Sequence, residues 1–104
     1  MSIIDIAKDF TLFPGGRYIS DGDYSGEEFR NKFLVPALKS NEIIDIYLDG
    51  TRGYGSSFLE EAFGGLVRLH FNPEMLRERL NLITSRPALK EEILDYIQQA
   101  GSTK

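Results

Sequence analysis

The chain has no cysteine and a single histidine, His70. Missing thiols exclude a disulfide framework, a thiolate metal site and a cysteine nucleophile, and one imidazole cannot make a histidine-rich metal site. Long apolar runs are missing too, since none approaches the roughly 20 residues that a bilayer-spanning helix needs. Positive charge is in short supply: 12 Lys and Arg stand against 16 Asp and Glu, for a net charge of −4. That balance weighs against a surface built to neutralise nucleic-acid phosphates. The first ten residues lack the cationic segment and apolar core of a secretion signal, so the expected location is the cytoplasm.

What is present fits one small domain. With 104 residues, 41% hydrophobic and 27% charged, the chain can bury one core of ordinary composition. The reading is a single domain over 1–100 and a flexible tail over 101–104. Ile4, Ile6 and Phe10 alternate imperfectly at strand period and lead through Leu12-Phe13 to a Pro14-Gly15-Gly16 turn, with Arg17 to Ser20 returning as a partner strand. Ser25 before Glu27 and Glu28 marks a helix start. Phe29, Phe33, Leu34, Ala37 and Leu38 continue its apolar face, and Pro36 predicts a kink or break.

Glu42 to Asp49 reads as a central strand, with Ile44, Ile46 and Leu48 on one face and Ile43 and Tyr47 on the other. Asn72-Pro73 opens a short helix through Leu80, Leu82-Ile83-Thr84 forms a short strand, and Pro87 opens a helix through about Gln99 that stops near Gly101. Strands alternating with helices imply a partly parallel sheet covered by helices.

The most informative stretch lies between the central strand and the next helix, Asp49-Gly50-Thr51-Arg52-Gly53-Tyr54-Gly55-Ser56-Ser57. A strand ends in a glycine-rich loop, and two serines open a helix whose dipole stabilises phosphate. Ser57 and Glu60 have the spacing of a capping box. Two readings of the serines stand together: a helix cap, and a phosphorylation acceptor at Ser56 or Ser57. Leu59, Ala62, Phe63, Leu66 and Val67 form the apolar stripe, leaving Ser57, Glu61, Gly64 and Arg68 near the opposite, presented face.

Gly64 and Gly65 each cost about 1 kcal/mol in a helix interior, so close packing or a partner's approach must compensate. Gly50, Thr51, Arg52, Gly53 and Gly55 could hold a phosphorylated ligand, although the Gly-Lys-Ser/Thr ending of a P-loop is missing. Asp49 is expected to bind the loop's own N–H groups. No nucleophile–base–orienter set can be assembled, so no enzymatic activity, cofactor or metal is expected.

The run from Leu48-Asp49-Gly50 through Gly53-Tyr54-Gly55-Ser56-Ser57 to Phe63-Gly64-Gly65-Leu66 resembles the STAS-like family of unknown function, DUF4325. The element order is also similar to the wider STAS fold of anti-sigma-factor antagonists. This resemblance implies an α/β fold, a small mixed sheet of about four to five strands covered by helices. It further implies a regulatory module that binds a protein partner of the histidine-kinase-like ATPase or kinase type; the loop and the presented face offer Tyr54, Glu61, Gly64, Gly65 and Arg68 as the expected contacts. In the antagonists a serine at the matching helix start is phosphorylated, a position taken here by Ser56-Ser57. The aspartate that precedes it there is replaced by Gly55. The alternative is a sensor of a nucleotide or other phosphorylated small molecule at the glycine-rich loop.

Overall fold

The computed structural model describes residues 2–40 and 42–102. Strand β1 (Ser2–Asp5) is short because its end is capped at once. The Asp5 carboxylate accepts from the Lys8 N–H at 3.2 Å and the Asp9 carboxylate accepts from the Asp5 N–H at 2.8 Å. These bonds turn Ile6–Phe10 into a single wide π-helical turn instead of a longer strand. The expected partner strand over Arg17 to Ser20 does not form either. Tyr18 begins a 3-10 turn over Ile19–Asp21, closed by the Asp21 carboxylate on the Tyr18 N–H at 3.0 Å.

Helix α1 covers 26–38 and starts where the sequence places it, with the Ser25 hydroxyl accepting from the Glu28 N–H at 3.1 Å. Its middle is a π turn, Arg30–Leu34, in which the Val35 N–H bonds to the Arg30 carbonyl, and Val35–Leu38 is α-helical again. Pro36 therefore does not break the helix. The widened turn just before it accommodates a residue that has no N–H to give.

Strands β2 (Ile44–Tyr47) and β3 (Leu80–Ile83) complete a sheet of order β1-β2-β3, with Ile4, Ile46 and Leu82 in register. Among the described residues the sheet has three strands, all parallel, and not the mixed four to five expected. β2 is central, as its β-branched residues imply. Burial follows strict alternation: Ile4, Ile44, Ile46, Leu80 and Leu82 are buried beneath the helices. The opposite face is open, with Tyr47 and Ile3 exposed and Asn81 bonded to Asp45 at 3.0 Å. The second apolar stripe of β2 is thus not a second buried face.

Helix α2 covers 56–68 and also has a π turn at its centre, Glu60–Gly64. It ends with His70 at φ 77°, the His70 N–H on the Val67 carbonyl and the Phe71 N–H on that of Leu66. That is a Schellman ending with histidine where glycine is usual. Helix α3 (Pro73–Arg79) is capped by Asn72, whose side chain accepts from the N–H groups of Glu74 and Met75.

Helix α4 (Pro87–Ser102) passes through Gly101 instead of stopping there. A Cβ at Gly101 would lie 2.6 Å from the Pro73 ring, so the glycine lets α4 pass α3. Thr103 and Lys104, the rest of the expected tail, lie outside the described residues. The core joins Phe29, Phe58 and Phe63, with the Phe10 ring 5.3 Å from that of Phe29.

Candidate functional site

The carboxyl ends of parallel strands and the amino ends of the helices that follow meet at one edge of the domain. Here β2 runs into the glycine loop. Gly50 (φ 104°) and Gly53 (φ 120°) adopt left-handed backbone, and a Cβ at Gly50 would come within 3.1 Å of the Ala7 side chain. Tyr54 anchors the loop from inside: its hydroxyl donates to the Leu48 carbonyl at 2.6 Å and its ring packs 6.0 Å from Phe58. Burial pushes its phenol up to about 12. The Arg52 N–H donates to the Leu12 carbonyl at 2.8 Å, which ties the segment before α1 to the loop.

Among the described residues, Asp49 binds across to β3 and not to its own loop. Its carboxylate accepts from the Thr84 hydroxyl at 2.6 Å and the Ser85 N–H at 2.8 Å, joining the ends of β2 and β3. These bonds, led by the one from Thr84, hold its pKa below the usual carboxylate range. The residues expected to cradle a phosphorylated ligand are divided between two shallow clefts. Gly50 and Thr51 line one of about 230 Å³ with Asp49, Ser85 and Arg86. Arg52, Gly53 and Gly55 line another with Phe13 and Pro14. Tyr54 borders both.

The capping box of Ser57 and Glu60 is not formed. Helix α2 begins at Ser56 after Gly55 with no side-chain cap. Glu60 is drawn instead to two guanidiniums, Arg68 at 2.7 and 3.0 Å and Arg17 at 2.5 Å. Charge-assisted bonds of this kind outweigh a single neutral cap. The Arg68 bond, then that from Arg17, keeps the Glu60 carboxyl below its ordinary value. Ser56 and Ser57 are exposed, and neither hydroxyl has a hydrogen-bond partner among the described residues.

The stripe predicted to face a partner is turned inward at its centre. Glu61, Gly64 and Gly65 are buried, while Arg68 is exposed. Glu61 meets the buried Arg30 guanidinium at 2.5 Å and also pairs with Arg17 at 3.3 Å and Arg68 at 3.2 Å. Both glycines make room for this network. A Cβ at Gly65 would lie 2.5 Å from Arg30 Nη1, and one at Gly64 would lie 2.6 Å from a Glu60 oxygen and 3.4 Å from the Tyr96 carbonyl on α4. Tight packing within the domain, one of the two readings of this pair, accounts for both.

Leu12 and Phe13, which the sequence pattern places in a strand, stand exposed beside the loop, 45% and 66% accessible. Nor does that pattern point to Arg30, the partner that draws Glu61 inward. Adjacent acids followed by adjacent glycines were the available signal for such a cluster.

The family model for STAS-like domains of unknown function matches residues 25–90, from the Ser25 cap into α4. The chain belongs to the DUF4325 family. The match takes in α1, β2, the glycine loop, α2, α3 and β3, and leaves β1 and the Leu12-Phe13 segment before it. No curated protein and no solved structure matches the chain. Among the described residues, no helix is long and apolar enough to cross a membrane.

Proposed function

We propose that this DUF4325 domain is a non-enzymatic regulatory module. It binds a protein partner, a histidine-kinase-like ATPase or kinase, at the edge formed by the glycine loop and the start of α2, with serine phosphorylation as the switch. The observation that carries this reading is the pairing of two unengaged, exposed hydroxyls, Ser56 and Ser57, with an exposed apolar step at Leu12 and Phe13. Both are fixed to the core: Phe58 and Leu59 root the helix start, and the Arg52 N–H holds Leu12. Phosphate added at the first turn of α2 brings roughly two negative charges to the positive end of that helix, beside the apolar step.

Of the residues first expected to touch the partner, Arg68 is exposed and Tyr54 is half-buried with its hydroxyl engaged by Leu48; Glu61, Gly64 and Gly65 shape the helix behind them. Partner choice rests on the resemblance to anti-sigma-factor antagonists. Incubation with ATP and each histidine-kinase-like ATPase of the same organism, followed by intact-mass and phosphosite analysis, tests the switch. One added phosphate at Ser56 or Ser57 is expected; its absence with every such kinase removes the switch.

The small-molecule reading has the Asp49–Arg86 cleft in its favour. A nucleotide at a hundredfold excess over its Kd would stabilise the fold by about 2.7 kcal/mol in a thermal-shift screen. The division of the loop residues between two clefts favours the partner-binding reading.

A further inference from the structure

We propose that the uncovered face of the sheet binds an amphipathic helix of a protein partner, one that carries two Lys or Arg residues a turn apart beside its apolar stripe. All-parallel sheets occur almost only with both faces covered. Here both crossovers, β1 to β2 and β2 to β3, place their helices on the same side. The core takes in side chains of α1, α2, α3 and α4, Phe29, Phe58, Leu76 and Ile93 among them, and its strand residues all come from that side. Among the described residues, the other side carries no helix.

That side is apolar, with acids set into it. Two register rows define it, Ile3, Asp45 and Asn81 in one and Asp5, Tyr47 and Ile83 in the next. Ile43 precedes Asp45 by one pleat, and Ile3, Ile43 and Tyr47 are 62%, 45% and 40% exposed. Among the described residues no ion pair involves Asp5 or Asp45. Asp45 accepts only from the Asn81 amide at 3.0 Å, and Asp5 from the Lys8 N–H at 3.2 Å. Arg79, the cation of β2's neighbouring segment, is held at the rim by the carbonyls of Ser40 and Glu42.

Charge decides the occupant. A second copy packed face to face would set these acids against their own likes, and a purely apolar helix would bury them unpaired; both are unfavourable. A helix with flanking cations covers the apolar residues and pairs the acids. Size agrees with one helix. Three strands about 4.8 Å apart span roughly 10 Å between their outer axes, the diameter of a helix, and four strand residues cover about 13 Å, the length of about nine helical residues. By the same spacings Asp5 and Asp45, diagonal on adjacent strands, stand about 8 Å apart. Two long cationic side chains one helical turn apart reach both.

The probe is a helical peptide of about 14 residues, with leucine at helical spacing on one stripe and lysines a turn apart along its borders. Its twin carries glutamate in place of each lysine. Each is titrated into the full chain labelled with nitrogen-15, and amide resonances report site and affinity. The lysine peptide is expected to shift the amides of Ile3, Asp45, Tyr47 and Asn81 saturably and to bind at least about tenfold more tightly than its twin. Asp45→Lys reverses that preference, which lost packing alone would not do. Asp45→Asn, which keeps an acceptor for Asn81, narrows it and stands in if Asp45→Lys does not fold. Equal affinity for the two peptides, shifts confined to the glycine loop and the helices, or no saturable binding overturns the inference. So does a dimer in sedimentation that Tyr47→Asp dissolves, since the face would then belong to a second copy. Every result is read on unmodified serines, so the phosphorylation switch stands or falls separately.

Discussion

Arg30 and Glu61 form a buried ion pair, 2.5 Å apart, between the π turns of α1 and α2. Each side chain is only 9% exposed, so neither partner can be lost to water. Removing one side of a buried pair leaves an uncompensated charge and costs about 3–5 kcal/mol. Glu61→Ala is expected to destabilise the domain by about that amount in urea unfolding. Replacing both partners together, Arg30→Met with Glu61→Leu, should recover most of the loss.

Gly26 makes a harder contact than either glycine of α2. A Cβ there would lie 2.4 Å from the Phe58 carbonyl and 3.1 Å from the Ala62 nitrogen, both backbone atoms. Gly26→Ala is expected to cost roughly 1–3 kcal/mol, because two helices must separate. Gly64→Ala, which meets first the far end of the Glu60 side chain, should cost less. Thermal unfolding of the two variants ranks them.

His70 caps α2 in left-handed backbone at φ 77°. His70→Gly is expected to raise stability by about 1 kcal/mol, since glycine adopts this conformation without the Cβ penalty. Denaturant midpoints of the two proteins measure it.

The Arg68 and Arg17 bonds depress the Glu60 carboxyl. A folded pKa below the unfolded value of about 4.3 gives stability that is complete above that value and is lost as pH falls through the folded one. Stability should therefore decline below about pH 4.3. Glu60→Gln should lower stability at neutral pH and shrink the acid decline, read from urea midpoints across that range.

Elements with strong local signals were legible: the Ser25 cap, Asn72-Pro73, the β-branched run of β2 and the Pro87 start. The expected amino-terminal hairpin does not form, because the Asp5 and Asp9 carboxylates close a turn that ends the strand after four residues. A regular helical period puts Glu61 and Gly64 on the presented face of α2, where the structure does not have them. The wide turn at Glu60–Gly64 rotates the residues around it and carries Glu61 and Gly64 inward. Glu60 matched the spacing of a capping box, but two arginines distant in sequence compete better for it than a backbone N–H. The loop and serines were located from local pattern. Their apolar neighbours Leu12 and Phe13 were not, since only the tertiary bond from Arg52 brings them there.

Calorimetric affinity of the proposed kinase partner for the parent chain and for Ser57→Glu tests the central claim most directly. A switch at the start of α2 predicts at least a tenfold difference, about 1.4 kcal/mol, with the fold intact. Equal affinity of the two would contradict a regulatory role for Ser57.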